Sequence, residues 1–534
     1  MKRRQLLKHL GAAVPAVALS PYARAADALT QTGTGTIAAG PFAPTWDSLS
    51  TYQTPDWFRD AKFGIWAHWG PQCEPEHGDW YARGMYVEGS DHYRYHVQKY
   101  GHPSKFGFKD VIHLWKGERW DPDALLALYK KAGAKYFMAL ANHHDNLDLY
   151  NSRYQPEWNS TRVGPGKDLI GGWSRAARAN GMRFGVSVHA ARTWTWFEDA
   201  QGADKSGPYA GIAYDGKSTR AGGKGTWWEG MDPQALYAQN HVRGVPIPDR
   251  AYCEKFFNRT RDLIDNYDPD IVYYDDAVLP LFPFSDAGLR LTAHMYNRSI
   301  AKKGRNEAVV NGKILNEQQR RSMVWDIERG QSHQIEPLPW QTCTCIGNWH
   351  YDRRLYERKG YKSAQTVVHT LIDVVSKNGN LLLSVPVRGN GTIDEQERAI
   401  VEEIGRWMAV NGEAIYDTRP WAMYGEGPVA LEGATSKTGA SFNEGKGKPF
   451  SADDVRFTAK GKTVFAFIMG WPASGKVSIA ALGSASAHLA GRIRRVELLG
   501  AKGALAFEQT AQGLQVTLPA DIPALAYANA LKIS

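Results

Sequence analysis

Between residues 55 and 420 the chain alternates short apolar runs with stretches of helical periodicity. The runs occupy residues 63–69, 136–141, 184–188, 271–274, 308–310, 323–325, 340–346 and 381–383. Helical patterns separate most of them. Residues 122–129 read as a helix with Pro122 near its start and Gly133 just past its end, and residues 252–267 read as another. About eight strands spaced by helices predict a (β/α)8-like TIM barrel. Beyond Trp421 the texture changes. Apolar runs at 464–469, 476–480, 495–499 and 514–518 follow one another with no helix of comparable strength, which predicts a small C-terminal β-sandwich over residues 422–534. The barrel is expected over residues 46–421, with a long insert at 201–245 rich in Gly, Lys and aromatics, including Trp227-Trp228.

The ends of the chain alter what its charge means. Lys+Arg number 64 against 55 Asp+Glu, a formal +9 that invites a polyanionic partner. Residues 1–25 carry Lys2, Arg3, Arg4, Lys8 and Arg24 and no acid, so without them the excess falls to four. That argues against nucleic acid as a partner. The segment itself reads as a twin-arginine signal peptide: Arg3-Arg4 leads, an apolar stretch follows, and Ala23-Arg24-Ala25 offers a cleavage site. It predicts export to the periplasm or beyond, with residues 26–45, Thr/Gly-rich at 31–40, as a linker. No apolar run reaches the ~20 residues of a membrane span. Cys73, Cys253, Cys343 and Cys345 make no disulfide framework and are expected as buried thiols.

In a TIM barrel, polar residues just past each strand converge on the C-terminal mouth. Here those are His68, His143-His144, His189, Asp275-Asp276, Lys313, Glu328 and Arg388. Asp275 and Glu328 end apolar strands, a costly place for a charge that is neither used nor paired. Two carboxylates on different strands can flank a glycosidic bond, one as nucleophile and one as acid and then base. They can equally be structural, Glu328 paired to a cation such as Arg329 and Asp275 capping a helix. His143-His144 suggests a metal, but strand neighbours face opposite ways, so hydroxyl recognition is the better reading and no metal is expected. No Gly-x-Ser-x-Gly, dinucleotide fingerprint or phosphate loop occurs, so no cofactor is expected either. The 19 Trp and 25 Tyr suit stacking on sugar faces.

The motifs then resemble a known family. Trp57-Phe58-Arg59-Asp60-Ala61-Lys62-Phe63-Gly64-Ile65-Trp66-Ala67-His68-Trp69-Gly70 is similar to the opening motif of α-L-fucosidases of glycoside hydrolase family 29. Asp79-Trp80-Tyr81, His143-His144-Asp145, Asp268-Pro269-Asp270-Ile271-Val272-Tyr273-Tyr274-Asp275, Ser376-Lys377-Asn378-Gly379-Asn380 and Asn411-Gly412-Glu413-Ala414 follow in the family's order. The resemblance spans about residues 45–530. It implies a retaining exo-glycosidase that releases terminal α-L-fucose from an oligosaccharide or glycoconjugate. Asp275 falls at the nucleophile and Glu328 where the acid/base of one branch lies. His68, Trp80, His143 and His144 fall on positions that contact the sugar. Departures from the family pattern are Asp79 for Glu, Tyr273 for Trp, Lys313 for Arg, His189 for Ser, Asn142 for Lys and Asp276 for Gly; Asp79, His189, Tyr273 and Lys313 join the expected substrate-binding set. Asp79 and Lys313 motivate a related α-L-sugar, L-galactose or L-glucose, as an alternative, and a non-catalytic sugar-binding barrel is a third. Should Glu328 not be the acid, Glu307, Glu317, Glu336 or a carboxylate of the insert comes next. Oligomerisation stays open.

Overall fold

The structure, a computed structural model, describes residues 35–534 except 239, 240, 242, 431–441, 490, 522 and 524. The twin-arginine segment therefore lies outside the described residues. Eight parallel strands close into a barrel in chain order: β1 Phe63–Ala67, β2 Tyr136–Asn142, β3 Arg183–Val188, β4 Ile271–Tyr274, β5 Val309–Gly312, β6 Val324–Glu328, β7 Trp340–Cys345 and β8 Gly379–Ser384. Each apolar run read from the sequence becomes one of these strands. Most are buried along their whole length, since helices cover their outer faces and side chains fill the centre.

The principal helices are α1 Pro122–Lys131, α2 Leu169–Ala179, α3 Arg250–Tyr267, α4 Ala287–Lys303, α5 Ala364–Ser376 and α6 Glu395–Asn411. Their ends follow local chemistry. The Asp121 side chain accepts from the Ala124 amide at 3.0 Å, Pro122 needs no donor partner in the first turn, and Gly133 turns the chain out at φ +100°. The barrel is least regular between β5 and β6. Their crossover is only the short helix Glu317–Ser322, and just two residue pairs join them, Asn311 with Val324 and Gly312 with Trp325.

The C-terminal unit is two antiparallel sheets. One holds β9 Arg419–Glu426, β10 Val455–Lys460, β11 Thr463–Ile468, β13 Val496–Leu498 and β16 Asn529–Ile533; the other holds β12 Lys476–Ile479, β14 Phe507–Gln509 and β15 Leu514–Thr517. Val477 and Ile479 of β12 and Leu514 and Val516 of β15 alternate with exposed neighbours and pack with Val455, Phe457 and Leu531 of the facing sheet.

Two connecting regions are pinned. Before the barrel, the Phe42 amide donates to Asn297 Oδ1 at 2.9 Å and the Ala38 amide to His294 Nδ1 at 2.9 Å, so this stretch lies along α4. Within the insert, buried Asp215 accepts from the hydroxyls of Tyr86 and Tyr237, each at 2.6 Å, and lies 3.4 Å from Lys109. Asp204 is held by Tyr93, Tyr214 and His102.

Candidate active site

Strand ends supply the site. His68 follows β1, His143 and His144 follow β2, and His189 follows β3. Asp275 follows β4, Lys313 follows β5, Glu328 closes β6, and Trp349-His350 stand in the loop after β7. All lie on the face where such barrels keep their chemistry.

At the centre two carboxylates share one ammonium. Lys313 Nζ donates to Asp275 Oδ1 and, at 2.5 Å, to Glu328 Oε2. One cation touching both brings the nearest carboxylate oxygens to about 5 Å or less, the spacing associated with covalent rather than water-first displacement at a sugar. The three side chains stay partly open, 21%, 20% and 14% exposed for Asp275, Glu328 and Lys313. Asp275 Oδ2 meets His189 Nδ1 at 3.0 Å and His144 Nε2 at 3.2 Å. Burial alone would raise this carboxyl; Lys313 and the two imidazoles outweigh it and hold Asp275 well below the ordinary carboxylate range. Burial likewise works against the Lys313 charge, and Asp275 with Glu328 reverses that, raising it above the ordinary lysine value. Asp275 is therefore an anion, with Lys313 on Oδ1 and the two imidazoles on Oδ2, and one lone pair of Oδ1 is left without a protein donor. The cation beside Glu328 is Lys313 and not the adjacent Arg329. Arg329 turns instead to Glu444 at 3.4 Å.

The histidines form a second layer around the hollow. Ring centroids of His143 lie 5.2 Å from His68, 4.5 Å from His144, 4.8 Å from His189 and 4.8 Å from His350. The alternation argument for His143 and His144 does not hold here: β2 ends at Asn142, its register against β3 shifts after Leu140, and both rings reach the same hollow. Partners assign the tautomers. The Ala82 amide donates to Gln72 Oε1, which leaves Gln72 Nε2 to donate to Asp145 Oδ2 at 3.1 Å and to His143 Nδ1 at 2.8 Å. His143 then carries its proton on Nε2. His189 donates through Nδ1 to Asp275, and burial, against the pull of that carboxylate, lowers it to about 4. Its Nε2 is then a bare acceptor without a partner, and one ring nitrogen of His68 and both of His350, one a donor and one an acceptor when neutral, also lack hydrogen-bond partners. Buried orphans of this kind call for a polar occupant. His68 and His143 are both held well below the ordinary histidine value, chiefly by burial. Trp66, Trp196 and Trp349 supply apolar faces beside these rings.

An α-L-fucosidase family model matches residues 29–413, and one for the α-L-fucosidase C-terminal domain matches residues 448–534. The chain belongs to the α-L-fucosidase family, a family of glycoside hydrolases. It is 26% identical over 496 residues to the tissue alpha-L-fucosidase of Rattus norvegicus, covering 91% of this chain and 90% of that one. The tissue alpha-L-fucosidase of Homo sapiens is 25% identical, with 90% and 88% covered. Among solved structures, Thermotoga maritima alpha-fucosidase in complex with fucose superposes at a TM-score of 0.67, 25% identical, with 92% of this chain and all of that one covered.

Seen as a fucosidase-family site, the remaining expected residues occupy distinct stations. Asp79 sits at the rim, where its Oδ1 accepts from the His350 amide at 2.7 Å; Trp80 beside it is 43% exposed with φ +65°. Tyr273 lies one layer down, its ring 4.9 Å from Trp66 and its hydroxyl 3.2 Å from Asp326. Asp276 turns to Arg192, and Arg388 to Glu76. Glu307 pairs with Arg183 and Arg305, and Glu336 with Arg320 and Ser332, so both have partners elsewhere. His350, Trp349 and Gln72 escaped sequence reasoning. The first two follow a strand end as His68 does, but four residues of loop intervene between β7 and His350. Two trios, His68, His143 and His350 and His143, His144 and His189, have ring nitrogens within 4.8 Å of one another. Both need His143, whose one lone pair is already taken by Gln72, so the cluster as protonated here suits hydroxyls better than a cation.

Proposed function

We propose that this member of the family is an exo-acting, retaining α-L-fucosidase with Asp275 as nucleophile and Glu328 as acid/base. The observation that carries the reading is the shared Lys313 ammonium between two carboxylates about 5 Å apart or less. Asp275 attacks the anomeric carbon while Glu328 gives its proton to the departing oxygen, leaving a β-fucosyl ester and the free aglycone. Glu328 then takes a proton from water, which displaces Asp275 and releases α-L-fucose. One negative charge passes from Asp275 to Glu328 in the first step, and Lys313 touches both, so the cation need barely move to follow it. The imidazole donors and acceptors around the hollow would hold the sugar hydroxyls, with fucosylated oligosaccharides or glycoconjugates as substrates.

The test is azide chemistry. Asp275→Ala should lose roughly 10³-fold or more in kcat and, with azide, give the β-fucosyl azide. Glu328→Ala should keep its kcat/KM on a good aryl leaving group, lose it on a disaccharide, and have its turnover of the aryl substrate raised by azide, which gives the α-fucosyl azide. Equal loss on both substrates with no azide product removes Glu328 from the role. Faster hydrolysis of an aryl α-L-galactoside than of the fucoside would move the assignment to the related sugar; the unchanged-sugar control is binding without turnover. The reading also takes residues 1–25 as a twin-arginine leader, so exported protein should begin after Ala25 when its N-terminus is sequenced.

A further inference from the structure

Beneath the two carboxylates lies a buried polar layer that the chemistry above does not use. Tyr273 precedes Asp275 by two residues across the end of β4, and Asp326 precedes Glu328 by two on β6. Side chains two apart on a strand share a face, so each carboxylate stands over one member of this lower pair. The Tyr273 hydroxyl donates to Asp326 Oδ1 at 3.2 Å, Cys343 Sγ donates to the same oxygen at 3.0 Å, and Gln341 Nε2 donates to Oδ2 at 2.7 Å. The Tyr136 hydroxyl completes the layer on Gln341 Oε1 at 3.0 Å. Asp326, Gln341 and Cys343 are fully buried and Tyr273 is nearly so.

This bond spans strands that the sheet does not join. β5 stands between β4 and β6, and it meets β6 through two residue pairs only, where β6 meets β7 through four and β7 meets β8 through six. Backbone pairing therefore constrains the distance from β4 to β6 least where the separation of Asp275 and Glu328 matters most. We infer that the Tyr273–Asp326 hydrogen bond is a cross-barrel tie that sets the spacing of the Asp275 and Glu328 carboxyls, making both positioning residues. The inference rests on the assignment of those carboxylates as nucleophile and acid/base. It also gives Tyr273 a duty other than the sugar contact expected from the family pattern.

A tie of this kind has a signature. Asp275 keeps His144, His189 and Lys313 when the tie is lost, so bond formation to it should survive; delivery of the Glu328 proton at the right distance should not. Tyr273→Phe and Asp326→Leu should therefore lower kcat on a fucosyl disaccharide about 10- to 100-fold with KM within about twofold. On α-L-fucosyl fluoride, whose leaving group needs no proton, the loss in kcat/KM, which reports formation of the ester alone, should stay within about threefold. Asp326→Asn keeps an oxygen acceptor for the tyrosine and should hold both substrates within about threefold. Equal losses on disaccharide and fluoride, no loss on either, or an Asp326→Asn as poor as Asp326→Leu would overturn the tie. If Tyr273→Phe does not fold, the two Asp326 variants decide. Failure of the carboxylate assignment looks different: wild-type enzyme would give the inverted anomer first by NMR, or Glu328→Ala would show no leaving-group dependence.

Discussion

Lys313 answers to two masters, and its removal should be felt by both. Burial is already the largest single influence on Asp275; with the ammonium gone only His189 and His144 oppose it, and the carboxyl moves up. We expect Lys313→Met to lose about 10²- to 10³-fold in kcat/KM and to shift the acid limb of its pH profile to higher pH, measured with α-L-fucosyl fluoride; Lys313→Arg should recover part of the loss. An unmoved acid limb would sink this account. Asp326 makes the opposite case. Burial raises it to about 6, the other contributions being smaller. A carboxyl raised in the folded state favours folding below its unfolded value, and that advantage is lost as pH rises through 6. The stability of Asp326→Asn relative to the parent should then rise by about 2–3 kcal/mol between pH 4 and pH 7.5, read by thermal melts at both. Most residues recognised in the sequence stand at the end of an apolar run: His189 and Asp275 follow one directly, and His143, Lys313 and Glu328 come within three residues of one. Asp326 lies within β6 between Trp325 and Ile327, and a lone Asp among apolar neighbours gives no hint of which hydroxyl it meets.

At the scale of elements, the end of β6 is held from outside the barrel. The Phe442 amide donates to the Glu328 carbonyl at 3.0 Å and the Glu444 amide to the Arg329 carbonyl at 3.0 Å. The Glu444 carboxylate accepts from Thr344 at 2.7 Å and Lys362 at 2.6 Å. This clamp compensates for the thin β5–β6 pairing on the other side. Glu444→Ala should raise hydrogen exchange at the amides of residues 328–330 and cut kcat several-fold, with KM nearly constant. The insert is docked by the same means, a buried acid meeting hydroxyls and an ammonium. Asp215→Ala leaves Lys109 buried beside Asp110 alone and two tyrosine hydroxyls without their acceptor. Limited proteolysis should then open residues 201–245 before the barrel is touched. Little of this pairing was legible in the order of residues, since most of these contacts join segments 80 to 130 positions apart.

For the whole molecule, barrel and sandwich meet through a buried ionic triad. Arg456 of β10 donates to Asp373 Oδ1 of α5 at 2.7 Å, and Lys377 donates to Oδ2 at 2.6 Å, with Arg456 and Asp373 each about 1% exposed. Removing one partner strands the rest, so Arg456→Met should cost about 3–5 kcal/mol of stability while folded enzyme at 25 °C keeps its kcat. Two separate melting transitions in that variant would mean the triad couples the units; a single unshifted melt would mean that it does not. Local order along the chain was enough for the eight strands, the helices between them and the β-rich tail, because periodicity, caps and turns act over a few residues. It was also enough to bring His68, His143, His144, His189, Asp275, Lys313 and Glu328 to one mouth, because strand ends of a closed barrel all open on the same face. What only the closed tertiary structure decided is who touches whom inside that mouth: one lysine between two acids, a glutamine fixing the proton of His143, a tyrosine and an aspartate bonded across the floor. Those are distances between strands, and a linear code of residue types carries no distances across a barrel until the barrel has closed.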